Sequence, residues 1–364
     1  MTFLMRDFAR SCFASLFLLL PFCGSAHAAP TIAGRSTQNV ITCPTATEKI
    51  DEQKFVPIGG IEQWITIRGT RCDHPVVLFL HGGPGNTMSP YANNIYVAWE
   101  KEFTLVQWDQ RGAGKTFGRN PAAAESTLTI ERMMQDGVEL AAYLVRHLNT
   151  KKIILVGGSW GSVLGVHIAK SRPELFHAYV GTGQLVSYKE NETASHGKVL
   201  ALARAAGDAK TVAAIEALGA PPWTNPRNFG ILRRAIRVYE AKTSTPAPKF
   251  WWVPAPLYAT PAAEASYESG EEYSYLQFVG LQGNGMLSKV DLPALGLDFD
   301  VPVFLIQGSE DLVTTAEVAK RYFESITAPQ KEYALLPNAG HDPNVAMIDV
   351  QFNILKKRVI PLMK

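Results

Sequence analysis

The segment Leu155-Val156-Gly157-Gly158-Ser159-Trp160-Gly161-Ser162 constrains this chain more than any other. It reads as an apolar strand, a sharp turn flanked by glycines, and the start of a helix. Its centre is Gly157-x-Ser159-x-Gly161, in which a serine stands at the tip of a strand-to-helix turn in a cramped backbone conformation. Side chains two residues before and two residues after the serine would collide there, so both positions are glycine. The turn lifts the Ser159 hydroxyl clear of the sheet. It also aims the first amides of the following helix at any oxyanion that forms beside it. Before the turn, residues 152–156 are the short apolar run of a strand covered on both faces. After it, Val163, Leu164, Val166 and Ile168 continue an apolar helix that Arg172-Pro173 closes.

Strands and helices alternate around this segment. Residues 54–58 and 61–67 flank Gly59-Gly60 as a hairpin. Residues 75–80 form a buried strand that runs into His81-Gly82-Gly83-Pro84-Gly85, where glycines let backbone amides approach a substrate carbonyl. Residues 103–108 form the next strand, ending in Asp109-Gln110-Arg111-Gly112-Ala113-Gly114-Lys115-Thr116. A phosphate loop needs a glycine where Gln110 stands, so Gly-Lys-Thr here does not mark one. Asp109 and Arg111 are expected to brace neighbouring backbone by charge-assisted hydrogen bonds. Apolar residues recur at helical spacing over 130–148, and residues 178–182 read as one more strand. The alternation predicts a mostly parallel sheet with helices on both faces.

From 185 to 297 the alternation stops. That segment is helical and loop-rich, with many prolines and aromatics, and a structureless connection of that size is improbable inside a compact domain. It reads as a helical cap inserted above the sheet edge, between a first part of the core at 29–184 and a second at 298–364. The strand–helix pattern then resumes with strands over 301–307 and 331–336. Asp311 and His341 each follow a strand, on the edge where Ser159 stands.

The N-terminus carries Arg6 and Arg10, an apolar run over 12–22, and Ala26-His27-Ala28. This is the pattern of a secretory signal peptide, residues 1–28, too short to remain as a membrane span. The mature chain is then expected to be periplasmic or secreted. Cys43 and Cys72 are the cysteines left after cleavage, and an oxidising compartment favours a disulfide between them; two free thiols are the alternative. The formal net charge is +2, with no basic block, which gives no reason to expect nucleic acid or stable membrane attachment.

Ser159, Asp311 and His341 occur in the chain order of a hydrolytic triad. A serine hydroxyl is a weak nucleophile alone. His341 would take its proton and return it to the leaving group, while Asp311 holds the imidazole in the right tautomer. The amides of Gly83 and Trp160 would face the oxyanion. Glu310 and Asp300 are rival acids. His81, His147, His167, His177 and His196 are rival bases.

Together, His81-Gly82-Gly83-Pro84-Gly85, Asp109-Gln110-Arg111-Gly112-x-Gly114 and Gly157-Gly158-Ser159-Trp160-Gly161-Ser162 resemble the proline iminopeptidase family of α/β hydrolases. The resemblance covers residues 55–183 and 300–360. It implies an α/β-hydrolase fold and release of an N-terminal proline, or another residue, from short peptides through an acyl-enzyme, without metal or cofactor. The family's cap carries glutamates that hold the substrate's free amino group. Gln184, Glu190 and Glu192 are the matching candidates here. Lys115-Thr116 departs from the family pattern, which leaves the substrate open. A carboxylesterase or lactonase on the same machinery is the alternative, and a non-enzymatic binding protein of this fold is a third. A cap carboxylate facing the pocket would favour the peptidase.

Overall fold

The computed structural model describes residues 48–120 and 128–363. The signal-peptide pattern and Cys43 lie outside them. Strands β1 (Ile50–Ile58), β2 (Ile61–Gly69), β3 (Val76–Leu80), β4 (Thr104–Trp108), β5 (Ile153–Gly158), β6 (Phe176–Thr182), β7 (Val303–Gly308) and β8 (Lys331–Leu336) build one sheet in the order β1-β2-β4-β3-β5-β6-β7-β8. β1 and β2 pair antiparallel, as do β2 and β4; the other pairings are parallel. The helices are α1 (Ala92–Tyr96), α2 (Gly114–Arg119), α3 (Ile130–His147), α4 (Trp160–Ser171), α5 (Tyr188–Ala205), α6 (Ala209–Glu216), α7 (Pro226–Thr243), α8 (Pro261–Val279), α9 (Ala316–Ser325) and α10 (Val345–Ile354). The mostly parallel sheet with helices on both faces expected from the alternation is present, in the α/β-hydrolase arrangement that the resemblance implies.

Side-chain alternation along the strands divides the core in two. Leu78, Leu80, Ile153 and Leu155 face one cluster, filled by residues of α3, α4 and α9. Val77, Phe79, Ile154 and Val156 face the other, with α1 and α10. Each face of the sheet is thus covered, which is why its central strands carry continuous apolar runs. Gly59 and Gly60 close the β1–β2 hairpin at φ 58° and 79°, with Ile58 opposite Ile61, a two-residue turn that needs two positive φ angles. β1 starts at Ile50, earlier than the expected 54, because Asp51, Glu52 and Gln53 pair across to Arg68, Ile67 and Thr66 on an edge strand open to water.

Between β6 and β7 the chain runs through α5 to α8 with no strand among these residues. This segment has two separate attachments. α5, α6 and α7 share a small core of Val199, Ala203, Ile215, Trp223, Leu232, Ile236 and Tyr239, into which Leu312 from the β7–α9 loop inserts. α8 instead lies against α2 and the loops after β3 and β4 along a seam of small residues. A β-carbon at Gly118 would stand 2.3 Å from Ser266 Oγ, and one at Gly85 would stand 2.9 Å from Glu271 Cα. The Ser274 hydroxyl donates to the Gly112 carbonyl at 2.7 Å.

The loop after β4 is braced as its charges predict. The buried Asp109 carboxylate accepts the Thr87 and Ser89 hydroxyls and the Lys115 amide. Arg111 forks onto Asp136 of α3 at 2.7 and 3.2 Å and also donates to the Gly59 carbonyl at 2.7 Å. This bidentate pair ties the hairpin turn to α3.

Candidate active site

Ser159 sits at the β5–α4 junction with φ 52° and ψ −119°, a conformation costly for a residue with a side chain. The cause lies in the backbone packing around it. A β-carbon at Gly157 would fall 2.2 Å from the Gly161 carbonyl oxygen, and one at Gly161 would fall 2.0 Å from that of Leu80. Only glycine at both places lets α4 start this close to β3 and β5. The Ser159 amide donates to Thr182 O at 2.9 Å, fixing the turn to β6.

The Ser159 hydroxyl lies 2.9 Å from His341 Nε2. On the far side of that ring, Nδ1 lies 3.0 Å from Asp311 Oδ2. Asp311 is almost fully buried and receives four further hydrogen bonds. Its Oδ1 accepts the Val313 and Thr314 amides at 2.8 and 2.7 Å. Its Oδ2 accepts Gln307 Nε2 and the Thr314 hydroxyl, both at 2.8 Å. Burial alone would raise the Asp311 carboxyl, but the charge and hydrogen bond of His341 and the Thr314 donors hold it below the usual range. For His341, burial would lower the pKa, yet the Asp311 charge and hydrogen bond carry it above the ordinary histidine value. The structure thus brings Ser159, His341 and Asp311 into one hydrogen-bonded chain.

The loop after β3 passes over the serine. A β-carbon at Gly82 would contact Ser159 Cβ at 3.3 Å. Gly83, at φ 109°, follows, and the Gly83-Pro84 bond is cis. Trp160 is the first residue of α4, so its amide is one of the helix N-terminal donors. Trp160 is held by its indole, which donates to Gln110 Oε1 at 3.0 Å. Gln110 in turn spans His81: its amide donates to His81 Nε2 at 3.2 Å, and its side chain donates to the His81 carbonyl at 3.1 Å. With Nε2 accepting, His81 Nδ1 donates to the Gly82 carbonyl at 2.9 Å. Burial pushes His81 down to about 4, so the ring is neutral and serves as a brace for the glycine loop rather than as a base.

The other rivals are placed elsewhere. His147 contacts Glu52 and stacks on Tyr143, and His196 meets the Ile215 carbonyl. Glu310 accepts the Ser309 hydroxyl, and Asp300 is on the surface.

The three residues expected to meet a substrate amine fare differently. Gln184 is fully buried, and its side chain is engaged by Tyr179 Oη, Ser162 Oγ and the Leu185 carbonyl at 2.8, 3.1 and 2.9 Å. It holds the start of the inserted segment and has no face left for a ligand. Glu190 points to the surface and pairs with Arg321 of α9 at 2.9 Å, a correction that follows from its place on the outer side of α5. Glu192, two positions on, turns inward. It is 3% exposed, its nearest cation is Arg233 Nη2 at 3.7 Å, and burial raises its carboxyl. Sequence reasoning missed Glu240 of α7, whose Oε1 accepts the Leu312 amide at 2.6 Å beside Asp311. Cys72 is disulfide-bonded, while Cys43, its expected partner, is outside the described residues.

Comparison with known proteins agrees with this fold. Residues 75–345 match the family described as alpha/beta hydrolase fold. The chain is 27% identical over 313 residues to the protein named probable aminopeptidase YbaC of Bacillus subtilis, covering 84% of this chain and 95% of that one. It is 27% identical over 277 residues to a protein named probable proline iminopeptidase of Streptomyces coelicolor, covering 72% of this chain and 81% of that one. Among solved structures, the proline iminopeptidase of Mycobacterium smegmatis superposes with a TM-score of 0.63 at 19% identity, over 86% of this chain and 99% of that one. The matched residues include Ser159, Asp311 and His341 together with the strands that carry them, and this chain belongs to the alpha/beta hydrolase fold family.

Proposed function

We propose that the protein is an exported serine aminopeptidase that releases an N-terminal residue, proline among them, from short peptides through an acyl-enzyme. The observation that carries the hydrolytic part is the chain of contacts from Ser159 Oγ to His341 Nε2 at 2.9 Å and from His341 Nδ1 to Asp311 at 3.0 Å. In this reading, His341 takes the Ser159 proton as Oγ attacks the carbonyl. The negative charge on that carbonyl oxygen falls between the amides of Gly83 and Trp160, each such donor lowering the barrier by about 3 kcal/mol. His341 then gives the proton to the departing amine. A water activated by the same ring cleaves the ester and restores Ser159.

The amine-reading part is supported by Glu192. It is a buried carboxylate of the inserted segment whose recorded partner is the Arg233 guanidinium at 3.7 Å, a loose ion pair. A substrate ammonium would complete the neutralisation of such a group, whereas an ester pocket has no use for it. The names of the B. subtilis and S. coelicolor relatives favour the same substrate class. Export is supported by the residue pattern at 1–28 and by the disulfide at Cys72, a bond suited to an oxidising compartment.

The test compares hydrolysis of a proline arylamide with that of a short acyl ester, in the wild type, Ser159→Ala and Glu192→Gln. Ser159→Ala should lose both activities. Glu192→Gln should raise KM for the free-amine substrate about tenfold or more and leave the ester unaffected. Ester cleavage without arylamide cleavage in the wild type would replace the peptidase reading by an esterase one.

A further inference from the structure

A second carboxylate lies behind the His341–Asp311 pair, and it comes from the inserted segment. Glu240, near the end of α7, accepts the Leu312 amide through Oε1 at 2.6 Å. A β-carbon at Gly340 would stand 3.4 Å from its Oε2. The group is therefore wedged between the residue that follows Asp311 and the residue that precedes His341. Leu312 is gripped at its other points by the same segment. Its carbonyl accepts the Ser195 hydroxyl of α5 at 2.5 Å, and its side chain is buried with Val199, Ile215, Trp223 and Leu232. Amide, carbonyl and side chain of the acid's neighbour are thus all held from above. Removing the Glu240 acceptor would leave a buried amide without a partner, a costly state that the loop would relieve by moving.

The charges facing Glu240 come from both adjoining loops. Burial and then the Asp311 charge push its carboxyl up to about 7, with Asp342 adding to the rise; His341 and the Leu312 amide oppose it. On α7 itself, the Ser244 hydroxyl donates to the Glu240 carbonyl, and Lys242 lies over the Tyr239 ring at 4.0 Å.

We propose that Glu240 is a positioning residue for the Ser159–His341–Asp311 set. It seats the acid loop through Leu312 whether or not the carboxyl is ionised. Above about pH 7, where it is ionised, its negative charge joins that of Asp311 in stabilising the imidazolium formed when Ser159 gives up its proton. The inference rests on the reading of His341 as the general base. No bond is made to Glu240 and no proton passes to it in turnover. Above that pH its loss leaves the imidazolium with one anion fewer and the proton-transfer step slows; below it the carboxyl is neutral and only the seat for Leu312 remains.

The experiment measures kcat and KM from pH 5 to 9 for Glu240→Gln, Glu240→Asp and Ser159→Ala in the full chain, using whichever of the arylamide or ester the wild type turns over, with a thermal melt of each. Glu240→Gln keeps an acceptor for the Leu312 amide but never ionises; it should lower kcat about three- to tenfold at pH 8 to 9 with KM nearly unchanged, the gap closing below pH 7. Glu240→Asp is too short to reach Leu312; it should lower kcat at every pH. A folded Glu240→Gln with the wild-type kcat at pH 9 overturns the inference, as does a loss in it that is the same at every pH. Should Glu240→Gln not fold, Glu240→Asp decides alone, and wild-type kcat in it overturns the positioning role. Activity retained in Ser159→Ala would instead bring down the hydrolytic reading on which the inference stands.

Discussion

Replacing Asp311 by Asn tests the site most sharply, because the five hydrogen bonds to its carboxylate leave the amide few choices. An NH2 placed at Oδ1 would face the Val313 and Thr314 amides, which donate at 2.8 and 2.7 Å and cannot reverse. Placed at Oδ2, it faces Gln307 Nε2, the Thr314 hydroxyl and His341 Nδ1. The hydroxyl can rotate to accept and the imidazole can change tautomer, so this orientation leaves one donor–donor contact, at Gln307. The expected loss of stability is about 1–3 kcal/mol, the cost of one buried donor without a partner. The loss of activity is much larger. Once Nδ1 accepts from the Asn amide, the ring proton sits on Nε2 and points at Ser159 Oγ, so the ring cannot act as a base. An uncharged partner also gives up the stabilisation of the imidazolium. By analogy with serine proteases carrying the same substitution, kcat should fall about ten-thousandfold, equivalent to about 5 kcal/mol of barrier. The assay is turnover of an activated ester against pH, paired with a denaturant melt to show that the variant is folded. A folded Asp311→Asn enzyme within tenfold of the wild-type kcat would refute the assignment of Asp311 to the ring.

Three further variants probe the scaffold. Gly161→Ala should lose about 3 kcal/mol or more, because its β-carbon would lie 2.0 Å from the Leu80 carbonyl oxygen and β3 would have to move; Gly60→Ala, at φ 79° with open space around it, should lose only about 1 kcal/mol, and equal losses in denaturant melts would contradict this packing argument. At Glu52, burial pushes the carboxyl up, but His147 and Lys54 more than offset it and bring it to about 2. Its contribution is therefore complete above the unfolded carboxylate range and disappears as pH falls toward 2. Glu52→Gln should cost about 1 kcal/mol at neutral pH, with melting curves that converge with the wild type in acid.

The sheet and the central triad were legible because their signals are local. Gly157-x-Ser159-x-Gly161 states a backbone geometry within five residues, and the alternation of apolar runs with 3.6-residue periodicity states the layer order. The inserted segment was legible only as helical. The face of α8 that meets α2 and the loops after β3 and β4 is made of Gly270, Ser274 and Ser266, small residues that leave no apolar stripe to read; only Phe278 and Val279 at its end enter the apolar core. Glu240 stands in Arg233-Arg234-Ala235-Ile236-Arg237-Val238-Tyr239-Glu240, which looks like a solvated charged helix. Nothing in the linear order shows that Leu312 lies beneath it. Glu190 and Glu192 illustrate the same limit on a finer scale. They are two positions apart on one helix, and the 200° between them sends one to Arg321 at the surface and the other inward.

The order in which the chain is made has a consequence for when it can act. Ser159 and the glycine loop are built from the first half, but His341 follows β8, an edge strand that pairs with β7 alone among the described residues. A nascent polypeptide that has completed β1 to β6 and α5 to α8 holds Ser159 with neither imidazole nor carboxylate beside it. Hydrolytic competence then switches on in a single late event, when the final 60 or so residues emerge and β7 and β8 dock. Until that moment, the unfinished chain carries no assembled hydrolytic site.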